Sequence, residues 1–245
     1  MIKLSPRLQI IYDMVPKCTC IADVGCDHGY LTIALLQSDR ADRAIALDVN
    51  KGPLDTAKAN IVKAELYPRT QLRLSDGLDK LSEAEADVIC ICGMGGALIT
   101  RILEKNLSVA QSANTLIVEP QSEFRVLREF LQNNHFCIQD EALCQEEGKF
   151  YPIIKASFNN STEIKLSEPE LEYGPIIIKN KPPLFKALLE KNKGEYQFIL
   201  NKLNQNIITD KDSPIQKRKE ELTEKLSIIS TLELEMEVSY GNSNY

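Results

Sequence analysis

The chain has 245 residues, 43% of them hydrophobic and 26% charged, and a formal net charge of −6. That length can bury a substantial core in one large domain or two unequal ones, and the composition is that of a globular protein. The acidic balance argues against a molecule-wide electrostatic affinity for nucleic acid, and no apolar run approaches the roughly 20 residues that a membrane span needs. The amino terminus lacks the basic start, long apolar stretch and small-residue cleavage site of a signal peptide, so a cytoplasmic location is expected. The seven cysteines are an odd number set mostly in apolar strand contexts and read as buried free thiols. Cys18 and Cys20, like Cys90 and Cys92, are one residue apart, and His28 and His135 complete no zinc pattern; no metal is expected.

Taken in chain order, Ser5 is a helix cap and Pro6 a first helical residue. Leu8, Ile11, Tyr12 and Val15 then share one face, which predicts a helix over 6–15. A strand over 19–24 ends in a glycine-punctuated turn, Gly25 to Gly29, that leads into a helix over 30–37. A strand over 43–47 closes on Asp48, and a helix follows over 54–64. The strand over 71–74 is followed by Ser75, Asp76 and Gly77. The unbroken apolar run 87–92 reads as a buried parallel strand, ends in Gly93-Met94-Gly95-Gly96, and continues as a helix over 97–103. A strand over 115–118 runs into Glu119, Pro120 and Gln121, and a helix occupies 124–133. Strands over 136–143 and 150–158 flank Glu146-Glu147-Gly148-Lys149 as an antiparallel hairpin. Alternating strands and helices predict a doubly wound α/β sheet closed by that hairpin.

The character changes at Asn159-Asn160-Ser161-Thr162. Pro169, Gly174, Pro175, Pro182 and Pro183 predict an irregular stretch. From Leu184, stripes of Leu188, Tyr196, Ile199, Leu200, Leu203 and Ile207, and of Ile215, Leu222, Leu226 and Ile229, predict two antiparallel helices in a short coiled coil, joined by a turn over 210–214. Residues 179–225 carry 11 basic and 7 acidic side chains, so this part is locally positive within an acidic protein. Lys179, Lys181, Lys186, Lys191, Lys193, Lys202, Lys217, Arg218 and Lys219 are available for phosphate contacts. Dimerisation through the coil is the competing reading, and alternating charge on solvated helices is the plainest one.

In an open α/β sheet, ligands lie beyond the carboxyl ends of the strands. Each such end here carries a distinctive residue: Asp23, Gly25, Asp27 and Gly29 after the first strand, Asp48 after the second, Asp76 and Gly77 after the third, Gly93 to Gly96 after the fourth, and Glu119 after the fifth. Asp48 is placed to accept both hydroxyls of a ribose, and Asp76 to accept from an adenine amino group. Gly93, Met94 and Gly95 allow close backbone approach. The first turn reads Asp-x-Gly-x-Asp-x-Gly, not Gly-x-Gly-x-x-Gly. A carboxylate there would repel a pyrophosphate and suits a cationic amino group, such as the methionine end of S-adenosylmethionine (SAM).

The segments DVGCDHGYL (23–31), GMGGALI (93–99), IVEPQ (117–121) and EEGKFYPII (146–154), with SPRL at 5–8, resemble the bacterial tRNA adenine-N1 methyltransferases that modify A22, the TrmK family. The resemblance covers residues 3–158 closely and the remainder mainly in architecture. It departs at Gly29, where relatives often carry alanine. It implies a Rossmann-like class I SAM-dependent methyltransferase domain over 1–160 and a linker with a C-terminal helical, coiled-coil domain over 161–245. It also implies methyl transfer to N1 of adenine 22 in tRNA, with tRNA as partner and no obligatory protein partner. On this reading Asp23, Gly25, Asp27, His28, Gly29, Asp48, Asp76, Gly77, Gly93, Met94 and Gly95 hold SAM, and Asp27, Tyr30 and Arg7 act on the substrate.

Several roles stay open in the sequence. Asp27 either stabilises charge on the adenine, or holds the SAM amino group or caps a helix. Tyr30 and Tyr151 are either platforms for a flipped base or ordinary core or rim tyrosines, and His28 touches ligand or makes a structural hydrogen bond. Arg7 reaches the cleft or lies exposed on an amphipathic helix. Rival functions are a SAM methyltransferase acting on protein or small molecules, and a SAM- or RNA-binding module without turnover.

Overall fold

The structure, a computed structural model, describes residues 2–161, 165–205 and 214–241. Thr162, Ile207, the expected turn residues 210–213 and the last four residues lie outside the described residues. Five strands run parallel: β1 (Cys18–Val24), β2 (Ala41–Asp48), β3 (Thr70–Leu74), β4 (Val88–Met94) and β5 (Thr115–Pro120). The hairpin of β6 (Phe136–Glu146) and β7 (Lys149–Phe158) completes a seven-stranded sheet in the order β3-β2-β1-β4-β5-β7-β6, with β7 antiparallel to both neighbours. Glu147 and Gly148 both have positive φ, +50° and +74°, as a tight two-residue hairpin turn requires.

Both faces of the sheet are covered, which is why its strands read as apolar runs rather than as alternations. Ile21, Ala44, Ala46 and Cys90 point to one side, where they meet α1 (Pro6–Met14), α2 (Tyr30–Gln37) and α3 (Lys51–Lys63) through Ile11, Leu35 and Ala57. Cys20, Ala22, Val24, Ile45, Ile89 and Ile91 point to the other. There they meet α4 (Gly96–Lys105), α5 (Leu107–Ser112) and α6 (Phe124–Asn133) through Ile99, Val109 and Leu127. As expected, Ser5 caps α1, its Oγ accepting from the Leu8 amide at 3.3 Å.

The proline-rich stretch corrects the expectation of irregularity. It forms α7 (Glu168–Tyr173) and α8 (Pro175–Asn180), and then α9 (Pro183–Asn204). Pro169, Pro175 and Pro183 all sit in first helical turns, where no backbone donor is needed and φ is already set. They start helices rather than break them. Glu170 Oε2 accepts from the backbone and the hydroxyl of Ser167, at 2.8 and 2.7 Å, closing the start of α7.

The last helix, α10 (Pro214–Gly241), runs antiparallel to α9. Lys193 Nζ lies 2.6 Å from Glu233 Oε2, and Lys225 Nζ 5.7 Å from the centre of the Tyr196 ring. The buried stripe on α10 is Leu222, Ile229, Leu232 and Met236, and Ile215 is exposed at its start. Phe185 and Leu189 of α9 pack with Tyr173, Ile177 and Leu143, so the helical arm is rooted on the hairpin.

Candidate active site

The sharp turn after β1 is built on left-handed backbone at Gly25 (φ +73°), Asp27 (φ +45°) and Gly29 (φ +70°). The amides of Gly25 and Cys26 both donate to the Leu47 carbonyl, at 2.8 and 3.1 Å, which ties the turn to β2. A side chain on Gly25 would strike the methyl end of Met94. Gly29 begins α2 and packs closely on Ala57, so its role is helix packing.

A cavity of about 320 Å³ opens above this turn, between the ends of β1, β4 and β5 and helix α1. Of the expected residues it brings together Arg7, Asp23, Gly25, Asp27, His28, Tyr30 and Gly93. Gly29, Asp48, Asp76, Gly77, Met94 and Gly95 do not line it. The carboxylate of Asp23 is buried and accepts from the Thr32 hydroxyl at 2.7 Å. Burial raises its pKa; the Thr32 hydrogen bonds oppose that rise and the charge of Asp48 adds to it. Asp48 is also buried and accepts from the Asn50 amide at 2.8 Å. Neither carboxylate has a cationic partner among the described residues. Two acidic groups without a counter-charge beside a glycine turn fit the cationic ammonium and the ribose hydroxyl donors of SAM, whereas a pyrophosphate would add repulsion.

Asp76 is exposed, and its carboxylate lies 3.2 Å from Lys105 Nζ, which also binds Asp79. Gly77 (φ +57°) turns the chain tightly against Ile102. In the Gly-Met-Gly-Gly segment, only Gly93 faces the cavity. Gly96 donates to the Ser122 carbonyl at 2.9 Å, and a Cβ there would lie 2.5 Å from the Glu123 carbonyl oxygen. The close approach at Gly96 is therefore between the starts of α4 and α6.

At the cavity mouth the Asp27 side chain is 65% exposed and its Oδ2 lies 3.6 Å from His28 Nε2. The His28 ring stacks on Tyr30, centroids 5.3 Å apart and planes 14° from parallel. Opposite, Arg7 corrects the reading of an exposed arginine. Its Nη1 donates to Glu119 Oε2 at 3.0 Å, its Nε lies 3.3 Å from Glu146 Oε2, and its guanidinium stands 4.9 Å over the ring of Tyr151. Burial works against the Arg7 charge, but the neighbouring Glu119 and Glu146 hold its pKa above the ordinary value. Tyr151 is a half-buried rim residue in contact with this arginine.

The sequence pointed to Glu119 only as a strand-end residue, yet it is the hub of this wall. It is fully buried, and Oε2 accepts from both Arg7 and the Gly93 amide, the latter at 2.6 Å. Oε1 is buried without a donor. Burial pushes the Glu119 carboxyl up, and Arg7 and the Gly93 amide pull it back. Cys92 and Gln121 also line the cavity and were not among the expected residues. Their signal lay in their places beside the fourth and fifth strand ends. All seven cysteines are free, four buried and three half-buried, and burial raises the Cys26, Cys90 and Cys92 thiols well above their ordinary range.

A parallel sheet in this strand order, the antiparallel hairpin at its edge and the acidic glycine turn define a Rossmann-like SAM-dependent methyltransferase. The profile of the TrmK family, described as tRNA (adenine(22)-N(1))-methyltransferase, matches residues 21–231, and the chain belongs to that family. The curated tRNA (adenine(22)-N(1))-methyltransferase of Bacillus subtilis (strain 168) is 32% identical over 232 residues, covering 93% of this chain and 96% of the relative. The structure of Streptococcus pneumoniae Sp1610 in complex with S-adenosyl-L-methionine superposes with a TM-score of 0.83 at 31% identity, covering 94% of this chain and 99% of that one. M. capricolum TrmK in complex with S-adenosyl-homocysteine gives 0.77 at 28% identity, over 92% and 99% of the two chains. No helix among the described residues is long and apolar enough to cross a membrane.

Proposed function

We propose that this protein transfers the methyl group of SAM to N1 of adenine 22 in tRNA, at the cavity above the Gly25–Gly29 turn and the adjoining end of β2. The observation that carries the assignment is the pair of buried carboxylates, Asp23 and Asp48, without a cationic partner beside a glycine turn, within a chain that aligns along almost its whole length with a tRNA (adenine(22)-N(1))-methyltransferase. Residues 1–160 form the catalytic unit, and residues 161–245 a linker and helical arm.

Bound SAM supplies a methyl on a sulfonium, which leaves as a thioether when the N1 lone pair takes the methyl. Neutral adenine N1 is already nucleophilic, so this chain's residues have to orient the base rather than deprotonate it. Orientation of this kind supplies up to roughly 7–11 kcal/mol in favourable cases. Asp23 and the Gly25 turn hold the methionine end, and Asp48 the ribose. The stacked His28 and Tyr30 rings offer a face for the unpaired base. The methylated ring is cationic, and the Asp27 carboxylate at the cavity mouth stabilises that charge as it develops.

On the arm, Lys193, Arg218 and Lys225 are held in ion pairs with Glu233, Glu221 and Glu172. Lys217 and Lys219 have no acidic partner among the described residues and are the stronger phosphate ligands. Labelled SAM incubated with the full-length protein and a tRNA transcript, followed by digestion to nucleosides, tests the reading. Labelled 1-methyladenosine is expected, and it disappears when adenine 22 is replaced by guanine. Label in protein alone, or none, would overturn the proposal.

A further inference from the structure

A second cavity, of about 410 Å³, lies where the hairpin meets the helical arm. Its size is within the range of ligand pockets and far exceeds an ordinary packing void. Aromatic rings line it from both sides: Phe150 and Tyr151 from β7, and Tyr196 from α9. Gln121 and Asn192 bring amides, and Lys149 stands on the rim. Lys149 is exposed and has no acidic partner among the described residues. Lys191 Nζ stands 5.7 Å from the Phe150 ring centre and Lys225 Nζ 5.7 Å from that of Tyr196, and Glu172 and Glu195 lie in the wall on the arm side. Aromatic rings, amide groups and the unpaired Lys149 match the three parts of a nucleotide: its ring, its base edge and its phosphate.

The cavity adjoins the methyl-transfer site. Gln121 lines both, and its Nε2 lies 3.8 Å from the position a Cβ would take on Gly93. Tyr151 lines the second cavity while its ring carries Arg7, a wall of the first, 4.9 Å away. The two cavities thus share a wall, within the span of the nucleotides that neighbour an adenine delivered beside Gly93. We propose that the cavity between hairpin and arm receives an unpaired nucleotide of the tRNA close in sequence to the methylated adenosine, with its base against Tyr196 and Phe150 and its phosphate near Lys149.

The proposal rests on the tRNA reading of the first site and assigns the arm a further task. Held there, the second base fixes which adenosine reaches the methyl group. Phosphate contacts alone would position the RNA without reading it.

The test uses the full-length protein and tRNA transcripts carrying an abasic residue at each of the three positions on either side of adenine 22. With wild-type protein, one abasic position should raise the tRNA KM by about 5- to 150-fold, the range of base–aromatic stacking. Tyr196→Ala should raise KM for intact tRNA by a similar factor, and that abasic residue should then add nothing. Lys149→Gln, at an exposed position that leaves folding intact, should raise KM and lower the salt dependence by the share of one single-strand phosphate, roughly 0.7 in the log–log slope. SAM affinity and thermal unfolding should stay at wild-type values in Lys149→Gln. Multiplying effects at all six positions, or wild-type KM in both variants, would overturn the assignment of the cavity while leaving the first site's reading intact. Wild-type protein that fails to methylate the intact transcript would overturn both.

Discussion

Arg128 of α6 and Glu141 of β6 meet inside the protein, Nη2 to Oε1 at 3.0 Å, with both side chains sealed from solvent. Burial lowers the Arg128 pKa and raises that of Glu141, while each partner's charge resists the other's shift. The pair reaches beyond itself. Arg128 Nη1 donates to the carbonyls of Leu171 and Glu172, both at 3.2 Å, and Glu141 Oε2 accepts from the amides of Ile176 and Ile177 at 2.9 and 3.4 Å. Gly174, at φ +96°, leaves the space the Glu141 carboxylate fills. The pair thus pins α7 and α8 to the catalytic sheet. Glu141→Ala should cost about 3–5 kcal/mol by leaving a buried guanidinium uncompensated. Chemical denaturation of this variant beside wild type measures the loss.

Asp48→Ala should weaken SAM binding by about 1.5–3 kcal/mol, the worth of hydrogen bonds to a charged group, and leave the fold in place. Titration calorimetry reads this directly. Unchanged affinity would remove Asp48 from the ribose site.

Asp27→Ala should lower kcat with little change in SAM affinity, because the Asp27 carboxylate is exposed at the cavity mouth and Asp23 lies on its floor. Single-turnover rates at saturating SAM are the measurement. Weakened SAM binding with normal turnover would make Asp27 a cofactor ligand instead.

Charge reversal at Lys217 and Lys219 should weaken tRNA binding and reduce the steepness of its dependence on salt by about 1.5 in the log–log slope, roughly 0.7–0.9 for each phosphate that is no longer neutralised. Arg218, paired with Glu221 at 2.6 Å, should contribute less. Filter binding across a salt series would show an unchanged slope if the arm serves only to join protein chains.

Arg73 holds Glu85 through both carboxylate oxygens, and the hydrogen bonds from Arg73 draw the Glu85 pKa down to about 2. A depressed carboxylate pKa stabilises the fold above its ordinary value near 4.5, and that contribution fades as pH falls toward 2. Glu85→Gln should therefore be less stable than wild type by about 1 kcal/mol at neutral pH, an exposed-pair value. The gap should narrow between pH 4.5 and 2. A gap that widens on acidification would contradict the pairing.

Local pattern carried the sheet. Apolar runs closing on Asp or Gly marked the first, second and fourth strands, the run into Glu119 marked the fifth, and Glu147-Gly148 marked the hairpin, because strand and turn chemistry are written over a few adjacent residues. Arg7 was legible as a candidate for the cleft, but its ion pair was not, since its partner Glu119 lies 112 residues away and nothing local announces the pairing. Asp76 looked free in the sequence because Lys105, which binds it, comes from the far end of α4. The prolines of α7, α8 and α9 misled for a different reason. A proline stops a helix from within and starts one from its first turn, and only the following residues decide which.

The position of β6 at the margin of the sheet has a further consequence. A marginal strand offers unpaired backbone to any neighbouring chain, and proteins shield such strands from self-association. Here α8 and α9 lie against β6, and Leu143 of the same strand is buried among Phe185, Leu189 and Ile229. The arm is thus a seal on the sheet, whatever it does with RNA. A chain cut at residue 160 would bare an adhesive strand and an oily patch together, and would be prone to precipitate. Separating catalysis from RNA capture in this protein calls for surface substitutions, not a cut.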